Sequence, residues 1–223
     1  MPACDECNRR TSTADLTVSV ISRWDDSSQD PANLDHQRLV ARLRRQAPEL
    51  IEEWSPGDPV VRERGRERLR ARGVLLSDDA GVAQIGVKTT RQLNLFSHKL
   101  ALALYFEYFK RPLPIAGRVS ALWKTREDFI ARGFPWRLLD IFPQYGTLIQ
   151  GGWNEHETFE YRHDMNLKDG LFGCFARLRS KLFIGGFVVT DASILPIDKD
   201  DIDWISPNDP NILLNNPRFD KNR

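Results

Sequence analysis

Leu93-Asn94-Leu95-Phe96-Ser97-His98-Lys99-Leu100-Ala101-Leu102-Ala103-Leu104-Tyr105-Phe106-Glu107-Tyr108-Phe109 is the most apolar stretch of the chain, and its reading decides the fold. Its apolar residues fall at helical spacing on two stripes, Leu93/Phe96/Leu100/Leu104/Tyr108 and Leu95/Leu102/Phe106/Phe109. A helix apolar over so much of its girth belongs at the centre of a domain. Thr89-Thr90 offers a cap before it, and Arg111-Pro112-Leu113-Pro114 stops it, so one helix is predicted from Thr89 to Lys110. With His98, Lys99 and Glu107 inside it, the stretch is too short and too charged to span a bilayer.

Such a helix needs a surface to pack on, and the segment from Thr147 to Thr190 reads as strands. Thr158-Phe159-Glu160-Tyr161-Arg162 alternates polar and aromatic residues. Leu171 to Leu178 and Leu182 to Val189 are β-rich runs joined near Ser180-Lys181. Val82 to Val87 suits a further short strand, while Gly151-Gly152 and Gly185-Gly186 read as bends or bulges. The fold class is therefore α+β: a helical N-terminal region, then a long buried helix on a small, mostly antiparallel sheet.

Toward the N-terminus, Leu16, Val20 and Trp24 recur at fours behind Thr11-Ser12-Thr13, predicting a helix from Thr13 to Trp24. Leu34, Leu39, Leu43, Leu50 and Ile51 mark a second helix, disturbed at Pro48. Residues 62–72 are helical by propensity but almost free of apolar side chains, and Gly73 ends them. The division expected is 1–73, 74–190 and an irregular tail, 191–223.

With 223 residues the chain holds one large or two small domains. A net charge of +1 gives no global pull toward nucleic acid or membrane, so charge must be read locally. The six arginines and two glutamates of 62–72 give a local +4 that suits phosphate contacts, with Arg62, Arg66 and Arg70 as candidates. The competing reading is a solvated helix: arginines at every second position point around the axis, and acids such as Asp198, Asp200, Asp201 and Asp203 balance the field. Three cysteines at irregular spacing make no disulfide framework and no signal segment is visible, so a cytoplasmic protein without a membrane partner is expected.

Cys4-Asp5-Glu6-Cys7-Asn8 is the one local pattern with chemistry attached. Two cysteines two residues apart grip a single metal ion, and a structural zinc takes four such ligands. Cys174 lies far away in an apolar β run, where a buried thiol is expected. The redox alternative needs a strand ahead of the pair, and none precedes Cys4. The densest run of other ligand types is His156-Glu157-Thr158-Phe159-Glu160-Tyr161-Arg162-His163. On a strand His156 and Glu160 stand about 13 Å apart with His163 on the opposite face, so no site is expected there. His98 is expected to be a hydrogen-bonded core residue, and His36 carries no motif. Serine-hydrolase, phosphate-loop and dinucleotide patterns are absent from the sequence.

Pro2-x-Cys4-x-x-Cys7-Asn8, followed by a polar cap and a helix, resembles the second half of the zinc-stabilised HNH endonuclease motif. In that family an earlier Cys pair and a Glu-His-x-x-Pro stretch precede this knuckle, four cysteines hold a structural zinc, and the upstream His is the general base. The resemblance implies that Cys4 and Cys7 are zinc ligands and that Asn8 holds the ββα-metal geometry. It also implies DNA as the partner, with a divalent metal where the nuclease is active. On this reading the sequence begins partway through the motif and, as written, lacks the catalytic histidine. A non-catalytic binding or interaction module with a relic knuckle is the alternative.

Overall fold

The computed structural model describes residues 5–24, 32–55, 58–76, 82–132, 159–166, 170–179, 181–195 and 204–207. Helix α1 spans Asp5–Ile21, α2 Ala32–Gln46, α3 Pro48–Trp54, α4 Pro59–Ala71 and α5 Val87–Phe109. Strand β1 (Arg118–Thr125) runs into a short α6 (Arg126–Arg132), and β2 (Phe159–Asn166), β3 (Leu171–Leu178) and β4 (Leu182–Val189) follow. A 3₁₀ turn at Ala192–Ile194 comes after β4. The sheet order is β1-β4-β3-β2, antiparallel at every pairing. The fold is thus α+β, with the long helix α5 lying on one face of the sheet.

Two apolar clusters hold these layers together. Ala101, Leu104 and Tyr105 of α5 meet Val119, Tyr161, Phe172, Cys174, Ala176 and Val188 from all four strands. The second cluster joins Leu16, Val18, Val20 and Ile21 of α1 to Leu43, Leu50 and Trp54, then to Leu93 of α5 and to Leu182 and Ile184 of β4. One core therefore crosses position 73, where the composition changes. The stripes on α5 differ in part from the expected ones: Leu93, Leu95 and Leu104 are buried as expected, together with Ser97, His98, Ala101 and Tyr105, whereas Tyr108 is 48% exposed. Small residues at 97 and 101 let the helix settle close to the strands.

That closeness explains Gly186. It sits in unbroken register between Ala121 and Cys174, so Gly185-Gly186 is regular strand and not the bulge expected. A Cβ at Gly186 would stand 2.6 Å from the Ala101 Cβ and 2.8 Å from the Cys174 sulfur. Glycine is required by the approach of the helix.

Other expectations shift too. Helix α1 begins at Asp5 rather than Thr13, and the hydroxyls read as caps lie inside it, where Thr17 Oγ1 donates to the Thr13 carbonyl at 2.7 Å. Residues 82–86 form no strand; Gln84 N reaches only the Trp54 carbonyl, at 3.4 Å, before α5 starts at Val87. Thr89 and Thr90 are buried within α5, whose N-cap is Gly86. Strand β1 was not anticipated, although its register sets Val119, Ala121 and Trp123 on one face. Within the tail, Ile205 pairs with Val119 through two backbone hydrogen bonds of 2.8 and 2.9 Å, extending the sheet edge. The region from 133 to 158, with His156 and Gly151-Gly152, lies outside the described residues.

The N-terminus of α5 is closed by a residue from another helix. Glu53 of α3 accepts from the backbone amides of Gly86, Lys88 and Thr89 at 2.9–3.0 Å and from the Thr89 hydroxyl. Trp54 Nε1 donates to the same hydroxyl oxygen at 2.7 Å. A Cβ at Gly86 would lie 2.5 Å from the Glu53 carboxyl carbon, so only glycine lets the carboxylate seat itself.

The two adjacent glycines of β4 separate close approach from mere strand flexibility. Gly186→Ala is expected to lower the unfolding free energy by about 1–3 kcal/mol, the cost of overpacking. Gly185→Ala, whose Cβ meets only Leu122 at 3.5 Å, leaves stability unchanged or raises it. Urea unfolding of both variants reads the difference, and equal effects would refute the packing argument.

Candidate nucleic-acid interface

Helix α4 is built for exposure. Asp58 caps it by accepting from Val60 N at 2.8 Å, and Pro59 occupies its first turn. Gly73, at φ 82°, ends it, and Val74 N bonds back to the Leu69 carbonyl. None of its residues is buried. Arg62, Arg64, Arg68, Arg70 and Arg72 are exposed and Arg66 is half-buried. Glu63 lies 3.9 Å from Arg66 and 3.7 Å from Arg70. Arg62, Arg64, Arg68 and Arg72 make no ion pair or side-chain hydrogen bond among the described residues.

The expected trio Arg62, Arg66 and Arg70 forms one ridge at four-residue spacing, and Arg64, Arg68 and Arg72 form a second on roughly the opposite side. Cations therefore surround this helix. A flat anionic surface would use one ridge only. A groove walled by phosphates on both sides would use both: B-DNA's major groove is about 12 Å wide, and a helix with its side chains about 10–12 Å across.

Cys4 lies outside the described residues; Cys7 and Asn8 fall in the opening turns of α1, with side chains outside the described set. Among the described residues no group of three or more His, Cys, Asp or Glu side chains is arranged to hold a metal ion. His98 is buried, as expected, its Nδ1 2.7 Å from the Asn94 carbonyl. Asn94 also accepts from Trp123 Nε1, at 2.8 Å. Glu160 pairs with Arg177 at 2.7 Å, while His163 stands among Tyr108, Tyr161 and Phe172 with ring centroids 4.9–5.9 Å away. Burial holds His163 below its ordinary pKa against the opposing pull of Asp164; His36 is lowered by burial and by Arg23. Cys174 is fully enclosed, and burial pushes its thiol up to about 12 despite a hydrogen bond from the Gly186 amide.

No protein-family model, curated protein or solved structure matches this chain. No described helix is long and apolar enough to cross a membrane.

Two solution properties follow from these environments. The folded state favours neutral His163, so its contribution to stability is complete above the unfolded value of 6.5 and is lost as pH falls through the lower folded value. His163→Phe is expected to flatten that part of the pH profile measured by thermal unfolding; an unchanged profile would contradict it. Cys174 should resist iodoacetamide in native buffer and react only in denaturant, as peptide mass spectrometry would register.

Proposed function

We propose that this chain is an HNH-endonuclease-like protein that acts on DNA by binding it, with α4 lying in the major groove. The observation that carries the reading is a helix with no buried residue whose five arginines, with a sixth at its C-cap, stand on both sides. Core packing gives no reason for those side chains. Their guanidinium groups match phosphate oxygens in pairs, which favours arginine over lysine at a DNA backbone. The Pro2-x-Cys4-x-x-Cys7-Asn8 pattern supports the same partner, since the family it resembles works on DNA.

The role assigned is binding without hydrolysis by the residues present. Among the described residues, His98 is buried in the core and half-buried His163 packs among aromatic rings, which leaves neither poised to activate a water. In this reading Cys4 and Cys7 supply half of a structural zinc site, and Asn8 helps to hold the ββα-metal geometry.

Binding to a labelled duplex, followed by anisotropy across a salt series, tests the reading. Arg62→Gln/Arg66→Gln/Arg70→Gln should retain the fold, since α4 buries nothing. It should weaken binding at every sequence and reduce the slope of log K against log salt by roughly three, about one per lost phosphate contact. A triple variant that binds with the native affinity and slope would sink the proposal. Zinc at one equivalent in purified protein, lost in Cys4→Ser/Cys7→Ser, would support the knuckle independently.

A further inference from the structure

Helix α4 carries charge all around, yet one of its sides is turned toward its own protein, and Gly65 identifies it. A Cβ at Gly65 would stand 3.1 Å from the Val82 Cγ1, so that position faces the connector leading into α5. Leu69, one turn further on, is half-buried on the same side. At about 100° per residue, the opposite side of the helix holds Val60, Glu63, Glu67 and Ala71. All four are exposed, Val60 by 55%. The arginine ridges flank this stripe at roughly a quarter-turn on either hand, Arg62/Arg66/Arg70 on one and Arg64/Arg68/Arg72 on the other.

A helix seated in the major groove with this stripe inward sends one ridge to each phosphate wall and turns the stripe to the base edges. The stripe has the composition for that floor. Glu63 and Glu67 stand at i and i+4, a like-charge spacing that slightly disfavours a helix and returns nothing to the core. Glu63 lies beside the first ridge, 3.9 Å from Arg66 and 3.7 Å from Arg70. Glu67 occupies the middle of the stripe. A carboxylate only accepts hydrogen bonds, and cytosine is the base that offers a donor, its N4 amino group, with no acceptor beside it in this groove. Adenine also has an amino group, but its N7 would repel the second carboxylate oxygen. Val60 is an exposed apolar side chain at the entry of a charged helix, suited to the methyl group of thymine.

We propose, on the basis of the major-groove placement above, that α4 reads sequence: Glu67 accepts from the N4 amino group of a cytosine, and Val60 packs on a thymine methyl. The seven residues between them span about 10 Å, which sets the two bases roughly two to three base pairs apart. The arginines supply affinity, and the acidic and apolar stripe supplies the choice of site.

Selection from a duplex library with a randomised ten-base-pair core tests this, followed by anisotropy on the selected duplex. The native chain should prefer cytosine at one position by about fivefold or more over each other base. Glu67→Gln lies on an exposed side and should fold as the native chain does; its amide both donates and accepts, so the preference should move from cytosine to adenine. Replacing the selected thymine by deoxyuridine, which lacks the methyl group, should weaken native binding and leave Val60→Ser unaffected. Native protein that binds duplexes with the expected salt dependence but selects no base, or Glu67→Gln that still selects cytosine, would overturn the readout and leave DNA binding standing. Native protein that binds no duplex would overturn both.

Discussion

The Glu53 carboxylate occupies the positive end of α5, where three backbone amides and the Thr89 hydroxyl converge on it. Four donors meet a single anion, and the helix dipole adds to the attraction. Burial raises the pKa of this group, but the hydrogen bonds from Thr89, Lys88 and Gly86 together outweigh it, and the folded value lies below the ordinary one. Because Glu53 belongs to α3, the contact also fixes where the N-terminal helices stand on the sheet layer. Trp54, next in sequence, donates to Thr89 and packs against Trp24, so the clasp and the first core cluster are continuous.

From that tie the rest of the architecture follows. With α5 pinned at its start, the Ala101–Gly186 approach sets its distance from the sheet, and Tyr105 and Phe172 close the far end with rings at 5.8 Å. Helix α1 is then held along α5 by Lys99, which reaches both Asp15 and Thr11. Helix α4 takes no part in the core, and the proposed DNA contact depends on that freedom.

What the sequence made legible was whatever rests on period and punctuation. The α5 helix, the break at Pro48, the arginine helix and the β2–β3–β4 meander all announce themselves through spacing and turn residues. What it hid depends on partners distant in the chain. Residues 82–86 have β-type composition but no neighbouring strand, so they stay a connector. Thr89 and Thr90 have the chemistry of caps, yet a carboxylate from α3 takes that role and the threonines are buried. The stripe on α5 was misplaced because a near-uniform apolar helix does not say which side meets the sheet; Gly186 and Ala101 decide it.

The central claim is that one carboxylate couples the helical layer to the sheet, and stability measured against pH for Glu53→Gln tests it most directly. Glu53 contributes fully above its unfolded value of 4.5, and the contribution disappears as pH falls through the lower folded value. At neutral pH the variant should be less stable by about 1–2 kcal/mol, the range for a lost helix cap, and its deficit should shrink toward zero in acid. A deficit that stays constant from neutral pH into acid, or no deficit at all, would contradict the account.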